Sequence, residues 1–474
     1  MSGLVNVDIC VIGAGSGGLS VAAGAAQMGA SVVLIEKGEM GGDCLNTGCV
    51  PSKSLLAAGH AAQSARDASQ FGINLPAPEV DWQQVHKHVH EVIAAIAPND
   101  SVERFEILGV QVICAAASFV DDRTVEAGDQ RIRAKYFVVA TGSSAFVPPI
   151  QGLEGLAYFT NENIFDNSDA IEHLIVIGGG PIGMELAQAH RRLGAKVTVM
   201  EMLRLLPKDD PELTHIVIEK LRVEGMAFHE GGRKLKLSKA ADGITAYCET
   251  DEGKQRVTGS HLLIATGRRA NVGGLNLEAA GVKYSPSGIE VDARLRSSNK
   301  RVFAVGDVVG PYQFTHMAAY QAGIVIRNVL FKLPARVNYS AVPWVTYTDP
   351  ELAHVGLSEA DAKTKGMDVR VLKWPFSEND RAQAERRTEG LVKVIVTPKG
   401  KILGASIVGL HAGELIQPWV LAISQGLKIG AMAGMIAPYP TLAEVNKRIA
   451  GSFYTAKLFS EKTRRLVRFL LCLS

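Results

Sequence analysis

The sequence predicts an α/β protein built around two Rossmann-like dinucleotide-binding folds. Three observations carry this reading. A turn of the form Gly-x-Gly-x-x-Gly occurs twice, at Gly13, Gly15 and Gly18 and again at Gly178, Gly180 and Gly183. Each copy follows a short apolar run of strand type and opens a helix. Each helix leads into a second apolar run that ends on an acid, Glu36 in one copy and Glu201 in the other. A single glycine turn is weak evidence, and two structural turns would be the plain alternative. Two complete strand–helix–strand frames with terminal acids imply two dinucleotides.

In the first copy, Asp8-Ile-Cys-Val-Ile12 is the strand, the helix runs through Met28, and Ser31-Val-Val-Leu-Ile35 precedes Glu36. Gly13 makes the tight turn, Gly15 lets backbone approach a pyrophosphate, and Gly18 lets helix and strand pack closely. The pyrophosphate rests on the helix N-terminus, where free N–H groups face it. Glu36 is expected to accept hydrogen bonds from a ribose. In the second copy, His173-Leu-Ile-Val-Ile177 leads through Gly178, Gly180 and Gly183 into a helix reaching Leu193, and Lys196-Val-Thr-Val-Met200 ends on Glu201. A carboxylate there pairs with a free 2′-hydroxyl and repels a 2′-phosphate, which favours NADH over NADPH. Arg204, three residues on, softens that preference.

The remaining bulk features limit the alternatives. A chain of 474 residues suggests about three domains. Its 47% hydrophobic and 21% charged residues are ordinary for a globular protein. With a net charge of +2 there is no overall pull toward nucleic acid or membrane, and no nucleic-acid partner is expected. Of six cysteines, Cys10, Cys114, Cys248 and Cys472 are scattered, unlike a secreted disulfide framework. The opening residues show no basic segment followed by an apolar one, so no signal peptide is expected. No long uncharged apolar run predicts a spanning helix. A cytoplasmic enzyme is expected.

Cys44 and Cys49 stand apart, in Gly41-Gly-Asp-Cys44-Leu-Asn-Thr-Gly-Cys49-Val-Pro-Ser-Lys53. On a regular helix, residues five apart have Cα atoms roughly 8–9 Å apart, from about 1.5 Å rise per residue. A disulfide needs under about 7 Å. The segment must therefore bend, and Gly48 permits it. Pro51 suits the first turn of a helix that starts near Cys49, where the dipole lowers a thiol pKa, and Lys53 adds a cation. Two unrelated buried cysteines are the alternative. A resident metal site is not expected, because no second Cys/His pair with ligand spacing accompanies them.

Together these segments resemble the pyridine nucleotide–disulfide oxidoreductases, among them dihydrolipoamide dehydrogenase, glutathione reductase and mercuric reductase. The likeness covers nearly the whole chain. Tyr136-Phe-Val-Val-Ala-Thr141-Gly142 and His261-Leu-Leu-Ile-Ala-Thr266-Gly267 resemble the family's paired strand-to-turn signatures. Arg301-Val-Phe-Ala-Val-Gly306-Asp307 resembles its second FAD segment, where the Asp bonds the ribityl chain. Thr346-Tyr-Thr-Asp349-Pro350-Glu351 resembles the start of its dimerisation domain. The resemblance implies FAD on residues 1–150 and 271–340, NAD(P)H on 151–270, and a C-terminal α+β dimerisation domain over 341–474. It implies a homodimer in which this last domain completes the partner's site. It also implies that Cys49 is the thiol at the flavin, that Cys44 exchanges with substrate, and that Lys53 pairs with Glu185. A solvated helix acid is the alternative for Glu185.

One position departs from the pattern. Disulfide-reducing members carry His-Pro-Thr-Leu-x-Glu, whereas this chain reads Tyr439-Pro440-Thr441-Leu442-Ala443-Glu444. A phenol with a pKa near about 10 is a poor general base at neutral pH. Mercuric reductases resemble the chain more closely here, since they also carry Tyr, and Gln313-Phe314 resembles them too. No N-terminal metal-binding domain is expected from these residues, no pair of adjacent cysteines stands near residue 474, and Cys472 reads as an incidental thiol or a substrate-handling one. Residues 457–474 are basic and amphipathic, packing on their own domain or lying on a membrane or partner. Three functions follow: a mercuric-reductase-like enzyme passing electrons to a soft metal or disulfide, a dihydrolipoamide dehydrogenase with its His replaced, or a redox subunit docked through its tail.

Overall fold

The computed structural model describes residues 3–241 and 243–473. They form two compact units, Met1–Met202 with Ala227–Val337, and Leu203–Met226 with Asn338–Ser474.

The first unit holds two parallel sheets. In the larger, strands Val110–Cys114, Val32–Glu36, Leu4–Ile12 and Gln130–Val139 lie side by side in that order, all parallel. Val302–Ala304 extends the sheet in parallel along the end of Gln130–Val139, and Thr124–Ala127 and Ala117–Asp121 close the other end antiparallel. Both faces are covered, so the central strands read as continuous apolar runs rather than alternating ones. Cys10, Ile12, Val33, Ile35 and Phe137 fill one face. Val11, Leu34 and Val138 fill the other, under the helix Ser16–Gln27. The smaller sheet orders Ala227–His229, Lys196–Met200, His173–Ile177 and His261–Ile264, again all parallel, with the helix Pro181–Arg192 between its first two strands in sequence. Both glycine turns thus leave the C-terminal ends of parallel strands, where open α/β sheets take their ligands. Short strands Ser143–Ala145 and Arg268–Ala270, each just beyond a Thr-Gly signature, pair antiparallel.

The second unit is α+β. Its antiparallel sheet runs Pro343–Thr346, Glu351–Gly356, Ile402–Gly409, Leu391–Val396 and Arg370–Pro375. Helices Gln417–Ser424 and Glu444–Leu458 supply core residues to it, Trp419 and Ile449 among them. Trp419 Nε1 donates to Asn446 Oδ1 at 2.7 Å, which satisfies two buried polar groups that would be costly alone. The sequence reading included residues 203–226 in the nucleotide domain 151–270; in the structure they pack in this second unit. Buried Lys393 holds them there, its Nζ lying 2.7 Å from Asp210 and 3.2 Å from Glu212, with Glu359 at 2.6 Å. Trp344 Nε1 adds a bond of 2.8 Å to Asp209. The chain finishes in the helix Glu461–Leu471, of which no residue is buried. Among the described residues, no helix is long and apolar enough to cross a membrane.

Candidate active site

The two glycine turns are built alike. Gly13 has φ +104° and Gly178 φ +114°, and a Cβ on either would strike a carbonyl of the neighbouring strand end, Ala140 O or Ala265 O. A Cβ on Gly18 or Gly183 would strike the carbonyl of Gly13 or Gly178. These four positions admit only glycine for reasons internal to the fold. Gly15 and Gly180 differ: nothing lies within 4 Å of a Cβ built on either. Each is the N-cap of its helix, without a side-chain cap and without an acid in the first turn. The first N–H groups of both helices are therefore presented to a diffusible anion rather than to the protein, and the residues fit two pyrophosphates.

The terminal acids brace these turns. Ala14 N donates to Glu36 Oε2 at 2.6 Å, and Gly179 N donates to Glu201 Oε2 at 2.6 Å. Gly38 N donates to Glu36 Oε1 at 2.8 Å. Each carboxylate retains acceptor capacity for a ribose hydroxyl. Arg204 is committed to its own loop, donating to Pro207 O, Asp209 O and Thr214 Oγ1.

Both signature turns that follow are hydrogen-bonded into place. Thr141 Oγ1 donates to Asn271 O at 2.7 Å, and Asn271 N returns a bond to Gly142 O at 3.0 Å. Thr266 Oγ1 and Gly267 O bond the Phe146 backbone at 2.6 and 3.0 Å. Gly306 N donates to Gln321 Oε1 at 2.7 Å, which orients the turn bearing Asp307. Burial pushes the Asp307 carboxyl up, against a bond of 2.6 Å from Ser143 Oγ and the nearby Arg268 guanidinium.

The cysteine segment lies directly on the first glycine turn. Gly41 N donates to Ala14 O at 3.0 Å, and a Cβ on Gly42 would come within 2.8 Å of Gly15 Cα. Cys44 sits on the short helix Gly42–Asn46, and Cys49 opens the helix Cys49–Asp67 with Pro51 in its first turn. The bend between them is made by close packing, not by a left-handed backbone. Gly48 has φ −127°, and a Cβ there would approach Asp43 O to 2.8 Å.

The two thiols are unequal. Cys49 is lowered to about 6, chiefly by the hydrogen bond from Cys44, then by Thr315 and the charge of Lys53, against the cost of burial. Cys44 is driven the opposite way by the same hydrogen bond, by burial and by the Cys49 charge. Cys49 Sγ lies 3.4 Å from Thr315 Oγ1, the first residue of the helix Thr315–Val329, whose positive end also favours a thiolate. Lys53 Nζ lies 2.7 Å from Glu185 Oε2, and Glu185 is buried.

Several residues that hold this arrangement carry no local sequence signal. Asp43 Oδ1 accepts from Thr47 Oγ1 at 3.0 Å and Asn161 Nδ2 at 3.2 Å, and pairs with Arg268 Nη2 at 3.2 Å. Arg268 also donates to Ser143 Oγ and Ser143 O at 2.8 and 2.7 Å. The loop bearing Cys44 is thereby fixed to the segments that follow both signature turns. Thr315 lies 266 positions from Cys49 in sequence.

Tyr439 and Glu444 belong to the second unit. Tyr439 is 69% exposed, and its hydroxyl donates to Asp380 Oδ2 at 3.1 Å rather than to Glu444. Asn379 positions Asp380: its side chain accepts from Ala382 N at 2.9 Å and donates to Thr441 O at 3.0 Å. The Asp380 carboxylate raises the Tyr439 phenol above its ordinary value, and Glu444 adds to that. Glu444 opens the helix Glu444–Leu458, with Arg448 at 3.9 Å.

Comparison with known proteins bears on these features. The pyridine nucleotide-disulphide oxidoreductase family matches residues 7–322, and its dimerisation domain matches residues 342–450. A mercuric reductase from Bacillus cereus is 36% identical over 445 residues, which is 93% of this chain and 70% of that protein. A dihydrolipoyl dehydrogenase from Bacillus subtilis is 33% identical over 451 residues, 92% of this chain and 96% of that one. Among solved structures, the Cu(II) complex of an HOCl-induced flavoprotein disulfide reductase from Escherichia coli superposes with a TM-score of 0.84 at 25% identity, covering 94% of this chain and 99% of that one.

Proposed function

The chain belongs to the pyridine nucleotide-disulphide oxidoreductases, and from that premise we propose a cytoplasmic, NADH-dependent homodimer that passes electrons through FAD and the Cys44–Cys49 pair to a soft metal ion. At the coarser level it is a flavin disulfide oxidoreductase with a dimerisation domain. FAD, when bound, supplies the two-electron relay between nicotinamide and disulfide. The chain's own residues govern the thiols. A hydride equivalent from NADH breaks the S–S bond, leaving Cys49 as thiolate and Cys44 as thiol, so electrons and proton balance. Thr315, Lys53 and the Cys44 thiol stabilise the Cys49 charge, and Glu185 neutralises Lys53.

The single observation that carries the choice of acceptor is Tyr439 in place of the expected acid–base histidine, its hydroxyl bonded to Asp380, while the Cys49 hydrogen bond and burial push the Cys44 thiol up. Exchange with a disulfide needs a thiolate and therefore a base. A soft metal displaces the thiol proton on binding, and both sulfurs then ligate it. Reducing a divalent ion to the metal takes the two electrons, restores the disulfide and releases one proton. The Cu(II) complex of the Escherichia coli neighbour adds support for a metal acceptor. In the homodimer, Tyr439 and Glu444 of one chain serve Cys44 of the other. Glu444, kept without its histidine, favours a second reading, dihydrolipoyl dehydrogenase-like chemistry. The test is anaerobic reduction with NADH followed by kcat/KM for Hg(II), lipoamide and glutathione disulfide. Turnover of the disulfides about 10²-fold or more below Hg(II) is expected, the lower end of what general acid–base catalysis contributes. Equal rates would overturn the choice of acceptor.

Nucleotide preference rests on Glu201, and with Arg204 bonded to its own loop the preference should fall to NADH. A charge-assisted bond to the ribose 2′-hydroxyl predicts about a 10- to 100-fold higher kcat/KM for NADH. Glu201→Ala should bring the NADH/NADPH ratio to within about tenfold of unity. The ratio is the readout because general loss of fold lowers both rates alike. A wild-type ratio favouring NADPH would contradict the assignment.

A further inference from the structure

The helix Glu461–Leu471 lies outside the family's dimerisation match, which ends at residue 450. It is about 16 Å long at 1.5 Å per residue. At 3.6 residues per turn, Leu466, Val467, Phe469 and Leu470 share one face, and Arg464, Arg465 and Arg468 share the opposite one. The four apolar side chains are 48–61% exposed, and Leu458 and Phe459 just before them are exposed as well. A packed surface helix would have buried that stripe. The charge is equally uneven. Residues 457–474 carry five basic side chains and one acid, +4 in a chain whose total is +2, so residues 1–456 carry −2 between them.

We infer that this helix docks the enzyme on an anionic lipid surface, lying in the headgroup plane with Leu466, Phe469 and Leu470 inserted and the arginines against lipid phosphates. The combination of a low-hydrophobicity helix, an aromatic-aliphatic face and an arginine face fits that surface. Lys462, at the margin of the apolar face, can lay its stem along the acyl boundary with its ammonium in the headgroups. A second copy of the chain fits less well. An isologous contact through the apolar face would turn both arginine rows outward and leave them without an opposite charge. An anionic leaflet supplies the opposite charge and an apolar layer together.

The test uses full-length holoenzyme sedimented with vesicles of phosphatidylcholine alone or of equal parts phosphatidylcholine and phosphatidylglycerol. Binding is expected only to the anionic vesicles and should weaken as salt rises. Each basic residue near such a surface is worth roughly fivefold in partitioning, so R464Q/R465Q/R468Q should fall about 100-fold. F469S/L470S should also release the protein. NADH oxidation should be unchanged in both variants, which shows that the fold is intact. Equal binding to neutral vesicles, or no binding by the wild type, would overturn the inference. If instead the wild type ignores vesicles and the variants change its sedimentation mass, the face is covered by a second copy and the inference fails.

Discussion

Cys49→Ser is expected to reduce acceptor turnover by at least about 10³-fold and to remove the long-wavelength thiolate-to-flavin absorption of the NADH-reduced enzyme. Cys44→Ser should lose turnover to a similar degree and keep the absorption. The difference follows from the unequal thiols. Cys49, held at about 6 by the Cys44 hydrogen bond, Thr315 and Lys53, is the thiol that stays ionised at neutral pH. Cys44 is pushed the other way and stays protonated. The sign of the pH dependence is fixed by this. Because Cys49 lies below the ordinary thiol value near about 8.5, the absorption should be present above about pH 6 and fade as pH falls through it. Thr315→Val removes a hydroxyl 3.4 Å from the sulfur and should move that midpoint upward. Cys44→Ser keeps an O–H donor to Cys49, so its midpoint should move less than that of Cys44→Ala. An absorption band that survives in Cys49→Ser would mean that the roles of the two sulfurs are reversed.

Sequence alone made the two strand–turn–helix–strand frames legible because each is local. The constraint at Gly18, a carbonyl five residues back, acts within one turn of chain. The helix periodicity of residues 461–471 is local in the same way, although only the structure shows its apolar face exposed. The pairing of Lys53 with Glu185 spans 132 positions and was available only through family resemblance. Arg268, Asp43, Thr315 and Asp380 had no such help. Each acts through contacts with residues distant in sequence, and neither periodicity nor spacing encodes such contacts. The contacts that group residues 203–226 with the second unit are non-local in the same way. In the structure Asp210 caps the helix Pro211–Val223 and Glu212 is its first-turn acid, and nothing in the sequence links them to Lys393, 183 and 181 positions away.

Tyr439→His is expected to raise kcat/KM for lipoamide and glutathione disulfide by about 10- to 100-fold, while leaving Hg(II) reduction unchanged or lower. The argument concerns one proton. On the proposed assignment Cys44 is the thiol that attacks a disulfide, and its hydrogen bond to Cys49 and its burial hold it above the ordinary thiol range, so at neutral pH it needs a base. The phenol cannot serve. Its ordinary pKa is near about 10, and the Asp380 carboxylate that accepts its hydrogen bond raises it further. An imidazole with a pKa near about 6.5 exchanges protons in the working range. It would also find a carboxylate to hold its tautomer. Glu444 is kept at the start of its helix, and Asp380 is pinned to the same loop through Asn379. Adding Asp380→Asn to Tyr439→His decides which acid does this: a lost gain assigns the role to Asp380, and a retained one to Glu444. A gain at the low end of the usual acid–base range is expected, because the imidazole nitrogens lie closer to the backbone than the phenol oxygen they replace. Metal reduction should not follow, since a soft ion displaces the thiol proton itself. A wild-type enzyme that already turns over lipoamide faster than the Tyr439→His variant would show that Tyr439 is no obstacle, and the dihydrolipoyl dehydrogenase-like reading would then take precedence.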